Sequence, residues 1–483
     1  MTIDSISVAA TLNEVKALLA RESSLSPALR AALNVLLALV AALLQRVNLN
    51  SRNSSKPPSA DPNRPKTPKP KGQRSPGGQN GHVGTTLQPV EDPDDIQLLT
   101  IDRSTLPEGN YRPAGFEKRQ VFDLDIALVV TEYRAEILTD AQGKRFTAPF
   151  PPGVSNRVQY GPVIKAHAVY LSQQQLLPYN RVEEYFREQL QIPISAGSLF
   201  NFNQEAFERL ADFEPWVCDQ LAQSEVVHAD ETGINVGGQR QWLHCASNAH
   251  YTAFFAHLKR GTEAMDEIGI LPRFQGLLCH DHWKPYFRYG CLHSLCNAHH
   301  LRELEWAFEQ DGQAWAKVMQ DLLIECNQAV HQAGGCLDAE HAEAFRIRYR
   351  TLLQQANAEC PPPDPDHSPP RRGRQKRSKS RNLLERLRDF EDETLRFMTD
   401  PNAPFTNNQG ENDIRMTKVH QKISGCFRSQ DGAKMFCRIR SYLSTCRKQG
   451  ISSTLALTSL FLHQPMDFST FFATPSIASA GEL

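Results

Sequence analysis

The sequence predicts an α/β multidomain protein built around a β-β-β-α-β core, with helical segments before and after it. Three observations predict this class. Strand-length apolar runs lie at Glu225–Ala229, Gln241–Ser247, Tyr251–His257 and Gly276–Cys279, and a helix-compatible stretch from Leu258 to about Leu271 separates the third from the fourth. Helical patterns dominate from Tyr160 to about Leu210 and again after Cys291. Stretches rich in proline, serine and basic residues at 48–84 and 361–381 cannot bury a core and mark the joints between blocks.

Composition sets the outer bounds. At 483 residues the chain has room for two to four domains. Its formal net charge of −1 argues against a uniformly basic nucleic-acid binder and directs attention to local basic runs. The 11 cysteines are odd in number and none precedes Cys218, so no disulfide framework is expected and a cytoplasmic setting is the simpler reading.

The elements follow in order. Residues 1–50 read as an N-terminal helix. Met1–Ser7 lacks the basic-then-apolar pattern of a secretory signal. Leu33, Leu36, Val40, Leu43 and Val47 repeat at intervals of three and four, which suits either a self-associating coiled coil or a helix packed on its own chain. The most apolar run, Ala31–Leu44, is short for a bilayer span and contains Asn34, so it reads as a buried helix with no membrane role. Residues 51–88 form a basic Pro/Gly-rich linker. Arg52, Lys56, Arg64, Lys66, Lys69, Lys71 and Arg74 face one acid, Asp61, which fits either contact with a phosphate backbone or a solubilising spacer.

Residues 89–155 alternate in character over Gln120–Asp125 and Ile126–Leu138 and predict a small β-rich module. Residues 156–222 are helical. A break at Ile192-Pro193-Ile194, followed by Ser195 as N-cap, makes them either a helix-turn-helix DNA-binding region or a plain packing pair. The core occupies 223–290 and resumes over 406–450. Between the two lies a mainly helical insertion, 291–405, with a disordered basic loop at 361–381. Residues 451–483 read as a C-terminal tail.

Two carboxylates stand at strand ends: Asp230 in EVVHADETGI (225–234) and Asp281 after Cys279-His280. Acids at two strand ends, with a third from a later helix, are the ribonuclease-H-like arrangement. Such a set suits two Mg²⁺ or Mn²⁺ ions, which prefer hard oxygen ligands. The ions would assist in-line displacement at phosphorus. Glu411 opens a helix after Asn-Asn-Gln-Gly and is one candidate for the third acid; Asp413, Glu303, Glu305 and Glu231 compete. Cys291, His293, Cys296, His299 and His300 include a Cys-x-x-His spacing, which binds zinc when a second pair is near; they read as either a zinc site or, the favoured reading, a packed, hydrogen-bonded helix start.

Several stretches, in order, resemble bacterial DDE transposases of the insertion-sequence-sixty-six family: LNSRNSSKPPSADPN (49–63), PFPPGVSNRVQYGPVIKAHAVYLSQQQLLPYNRVEEYF (149–186), VVHADETG (226–233), CHDHWKPY (279–286), CNAHHLRELE (296–305) and FTNNQGENDIRMTKVHQKISGCFRS (405–429). The resemblance implies Asp230, Asp281 and Glu411 as catalytic metal ligands for two ions. It implies Arg415, Lys418, Lys422 and Arg428 as residues along a DNA path. It also implies terminal inverted repeats and target DNA as partners, a homo-oligomer on DNA, accessory proteins from the same element, and action on the bacterial nucleoid. Two departures stand out. Family members commonly carry cysteine pairs within the region of 95–145, and this chain has none there, so a structural zinc is not expected. Asn412 also replaces the arginine that usually follows the glutamate.

Overall fold

The computed structural model describes residues 2–3, 6–22, 24–47, 49–50, 52–54, 87–124, 126–363, 377–462 and 467–473. The chain divides into two compact units, residues 65–149 and the remainder. It is a mixed α/β protein, mostly helical, with one central sheet.

In the smaller unit the expected strands over 120–138 are realised only at their end. Ile137–Thr139 pairs antiparallel with Arg145–Thr147, closed by Asp140, whose Oδ1 accepts the Gln142 and Lys144 N–H groups at 3.0 and 2.8 Å. No described residue from 87 to 149 is buried. Alternating apolar character makes a strand only where a second face covers it, and a lone hairpin has none.

In the larger unit, α1 (Val8–Arg21) and α2 (Pro27–Val47) form a helical hairpin, with Arg30 Nη1 donating to the Leu19 carbonyl at 2.9 Å. The expectation that Ala31–Leu44 is buried is not met. Residues 27–44 include no buried position, and the helix is long and apolar enough, by length and composition, to cross a membrane. The proposed seam also splits. Leu33 and Val40 are half-buried, while Leu36, Leu43 and Val47 are exposed. The reason is that, among the described residues, only one side of α2 has a neighbour.

Four helices follow: α3 (Pro162–Val169), α4 (Tyr179–Leu190), α5 (Ala196–Arg209) and α6 (Phe213–Ala222). Ser195 caps α5 as expected, its Oγ accepting the Ser198 N–H at 3.2 Å. Their apolar faces, including Phe186, Leu199 and Phe213, share one core with the sheet residues Val227 and Ala229 and with two late helices. Those are α14 (Gln430–Lys448) and α15 (Ser453–Leu462). Within the expected tail, residues 453–462 form a packed helix: Leu457 and Leu460 of α15 lie in this core.

The sheet holds β1 (Val226–Val236), β2 (Gln239–Ser247), β3 (Thr252–His257), β4 (Leu277–His280) and β5 (Leu292–Leu295), in the order β3-β2-β1-β4-β5. The first three strands are antiparallel; β4 and β5 run parallel to β1. Gly237 and Gly238, with φ of 58° and 82°, close the β1–β2 hairpin in the left-handed conformation that a two-residue turn needs. At Gly276 a Cβ would lie 2.4 Å from the Glu225 carbonyl oxygen, so only glycine lets β4 start against β1. Between β3 and β4 the chain crosses through α7 (Thr262–Ile268).

Two features differ from expectation. β5 was absent from the sequence reading, because Leu-His-Ser-Leu, four residues of mixed polarity beside a helix start, has no distinguishing period. β1 does not stop at Asp230 but runs six residues further. What ends near Asp230 is its parallel pairing with β4, whose last pair is His228↔Cys279.

The insertion packs α8 (Asn297–Asp311), α9 (Ala314–Gln332), α10 (Ala339–Glu359), α11 (Lys379–Asp389) and α12 (Glu391–Leu395) around Trp315, Met319, Tyr349 and Leu387. The basic loop expected at 361–381 is shorter than that. Residues 364–376 lie outside the described residues, but Ser378 caps α11 and Arg381 is buried, bonding Glu385 at 3.0 Å and the Cys360 carbonyl at 2.8 Å. Last, α13 (Asn408–Ser424) lies along β1, where Ile414 joins Ile234 and Val236 in a third core.

Candidate active site

Period-two alternation separates the two adjacent acids of β1. Ala229 and Glu231 share one face; His228, Asp230 and Thr232 share the other, the side of α13. Glu231 has only 1% of its side chain exposed and is fully engaged. Arg260 donates to it through Nε at 2.8 Å, and the Tyr286 hydroxyl donates at 2.6 Å. Arg260 is itself held between the Trp242 and Trp283 rings, at 4.8 and 4.3 Å.

Asp230 accepts only the Glu231 N–H, at 2.8 Å, among hydrogen bonds of the described residues. Burial pushes its carboxyl up to about 8, and the charges of Glu231, Asp281 and Glu411 push the same way. Asp281 follows the last residue of β4, and the β1–β4 offset sets it level with Asp230. Its Oδ1 accepts the Trp283 N–H at 2.9 Å. Burial, then Glu231, raises it to about 6. Asp230 is the shared member: Asp281 reaches it from β4 and Glu411 from α13.

Glu411 sits in the first turn of α13, where its charge suits the positive helix end. Asn407, the residue before the helix, ties that end to β1. Its Nδ2 donates to the Ala229 carbonyl at 2.9 Å, its Oδ1 lies 2.8 Å from His228 Nδ1, and its backbone N–H donates to Cys296 Sγ at 3.1 Å. Glu411 Oε1 lies 3.6 Å from His299 Nδ1, 3.7 Å from an Arg302 Nη and 4.0 Å from Cys296 Sγ.

The competing acids each have another partner. Asp413 forms a buried pair with Lys448 at 2.7 Å. Glu303 pairs with Arg386, and Glu305 accepts Gln320 Nε2 at 2.9 Å. Within the cysteine–histidine cluster, His293 instead bonds His280 at 3.0 Å and the Tyr289 carbonyl at 3.1 Å, and His300 bonds Asn297 at 3.0 Å.

A family profile described as "Transposase IS66 family" matches residues 157–435, more than half of the chain. The chain belongs to the IS66 transposase family. The match spans Asp230, Asp281 and Glu411. Residues 6–88 match a second family of unknown function, DUF6444. An uncharacterized protein, y4jO, of Sinorhizobium fredii (strain NBRC 101917 / NGR234) is 37% identical over 70 residues, 14% of this chain. The chain matches 22% of that relative's length.

The chain's basic candidates fall into two groups. Arg415, Lys418 and Lys422 are exposed at intervals of three and four from Glu411, so all four share one side of α13. Lys418 Nζ lies 3.4 Å from the Gly233 carbonyl and within electrostatic reach of Asp230. Arg428 is exposed beyond the helix end. Arg52 is exposed beside Asn53, whose Nδ2 donates to Glu309 of α8 at 2.9 Å. Lys56, Lys66, Lys69, Lys71 and Arg74 lie outside the described residues. Sequence reasoning missed Asn407, Arg260 and Tyr286. The doubled asparagine ahead of Glu411 was the one local signal available.

Proposed function

We propose that this chain is a DDE-type transposase that binds the terminal inverted repeats of its element, hydrolyses phosphodiester bonds to free 3′-OH ends, and joins those ends to target DNA. Asp230, Asp281 and Glu411 would hold two Mg²⁺ or Mn²⁺ ions. The observation that carries this reading is that Asp230 lies in the field of both other carboxylates while each competing acid is engaged elsewhere. The donor set fits divalent cations: three carboxylates, two of them with raised proton affinity, are a cluster that a positive charge would relieve. The strand order, three antiparallel strands followed by two parallel ones, supports a ribonuclease-H-like core.

When bound, the ions would lower the barrier by activating the attacking oxygen and neutralising charge on the leaving one. The chain's own residues do the positioning. Asn407 sets the start of α13 against β1, and so sets Glu411 against Asp230. Arg260 and Tyr286 hold Glu231 on the opposite face, which keeps it out of the ligand set. The cations along α13 suit DNA phosphates leading to the carboxylates. Water attacks in the first step and the freed 3′-OH in the second, so no covalent protein–DNA intermediate is needed. We place the activity in the bacterial cytoplasm, on nucleoid DNA, with a homo-oligomer and accessory proteins of the element as partners.

The test is Mg²⁺- or Mn²⁺-dependent cleavage of DNA carrying the element's end, by wild type and by Asp230→Ala, Asp281→Ala and Glu411→Ala, with DNA binding measured alongside. The expected result is loss of cleavage in all three with binding retained. Cleavage surviving Glu411→Ala would remove it from the triad.

A further inference from the structure

The proposed reaction leaves one group of side chains beside Glu411 without a role. Cys296 occupies the N-cap position of α8 without capping it through its side chain, and His299 follows one turn later. This spacing presents both to the same side of the helix start. Cys296 Sγ, an imidazole nitrogen of His299 and a Glu411 carboxylate oxygen all lie within 4.8 Å of one another. On a zinc-centred tetrahedron, donors about 2.0–2.3 Å from the ion stand roughly 3.3–3.8 Å apart. The 3.6 Å and 4.0 Å separations to Glu411 need a contraction of a few tenths of an ångström at most.

A second observation points to a ligand. His299 Nδ1 is buried and has no hydrogen-bond partner among the described residues. A buried polar atom left unpaired is costly, and in native proteins it calls for an explanation.

We propose that Cys296, His299 and Glu411 form a binding site for a divalent transition-metal ion of the zinc class, with its fourth position open. The set of one sulfur, one nitrogen and one oxygen donor is softer than three carboxylates and selects Zn²⁺ or Co²⁺ over Mg²⁺. Binding breaks the Cys296 S–H bond, forms a sulfur–metal bond and releases the proton to solvent. Thiolate and carboxylate then balance the two charges of the ion. Arg302, at 3.7 Å from the same Glu411 oxygen, must give up part of its contact. The Asn407 N–H that already donates to Sγ stabilises the thiolate. Because the ion draws on Glu411, it opposes Mg²⁺-dependent cleavage. That consequence rests on the triad proposed above; the binding does not.

The test uses the full chain, stripped with chelator and titrated with Co²⁺. The expected result is one ion per chain, with the visible bands of tetrahedral cobalt and a near-ultraviolet sulfur-to-cobalt charge-transfer band. Zn²⁺ should bleach both. Cys296→Ser should abolish the charge-transfer band, and His299→Gln should weaken binding roughly tenfold or more. The control is Cys336→Ser/Cys426→Ser, which removes the two exposed thiols and should leave the spectrum unchanged. If Cys296→Ser fails to fold, His299→Gln decides. Absence of the band in wild type, or a band and affinity unchanged in the folded variants, overturns the proposal. A cobalt spectrum with cleavage surviving Glu411→Ala would sink the triad and not this site; the reverse pair would sink the site and not the triad.

Discussion

Asp230→Asn should stabilise the metal-free protein, and the size of the effect follows from the site. The folded carboxyl has its pKa at about 8 against an ordinary 3.8. An acid whose pKa is raised by folding binds protons more tightly in the native state. Below pH 4 it is neutral in both states and costs nothing. Between 4 and 8 the unfolded chain ionises freely while the native site resists, so stability falls as pH rises, and the loss levels off near 8. At pH 7 about three units of this shift have been expressed, which sets a ceiling of about 4 kcal/mol at roughly 1.4 kcal/mol per unit. Relaxation and water entry trim this, leaving about 2–4 kcal/mol. The amide keeps the shape and removes the charge. The assay is urea unfolding of the full chain in chelator from pH 5 to 8.5. Asp230→Asn should exceed wild type most at pH 8, with the gap closing toward pH 5. Millimolar Mn²⁺ should shrink the gap, because the ion binds the native wild-type cluster and the variant much less. An asparagine variant no more stable than wild type at pH 8, or a gap indifferent to pH, would refute the reasoning.

Three other outcomes are expected. Asp413→Ala strands Lys448 in a site where the two side chains are only 7% and 11% exposed. It should cost roughly 3 kcal/mol in urea while leaving Mn²⁺ affinity by calorimetry unchanged, whereas Glu411→Ala should weaken Mn²⁺ binding. Asn407→Ala removes the bonds to Ala229 and His228 and should cost about 2–3 kcal/mol. Its cleavage rate should fall much further than its DNA affinity, since it positions Glu411; equal falls would make it merely structural. The triple substitution Arg415→Ala/Lys418→Ala/Lys422→Ala should lower the slope of log binding constant against log salt by about 2–3, at roughly 0.9 per phosphate contact. An unchanged slope would take α13 off the DNA path.

Much of this protein was local in its sequence, because local patterns carry their own physical cause. The strand signals around Val226–Ala229 and Leu277–Cys279 rest on apolar alternation and short runs, and they placed Asp230 and Asp281 at the ends of two strands. Ser195 was readable as a cap because capping involves only residues three apart. The reach of β1 past Asp230 was not readable, since two acids in sequence look like a turn until β2 pairs with both. The expected burial of α2 failed for a related reason: apolar content says that a helix can be covered, not that a neighbour exists to cover it.

What the sequence by itself determined is therefore the set of candidates: two strand acids, five contenders for a third, and a cysteine–histidine motif of ambiguous use. Only the tertiary structure decided among them. Whether a carboxylate is free to hold a metal depends on which cation folds against it, and Lys448, Arg260 and Arg386 are distant in sequence from the acids they occupy. The same is true of Asn407, whose two side-chain bonds span nearly 180 residues of chain to bring Glu411 to Asp230.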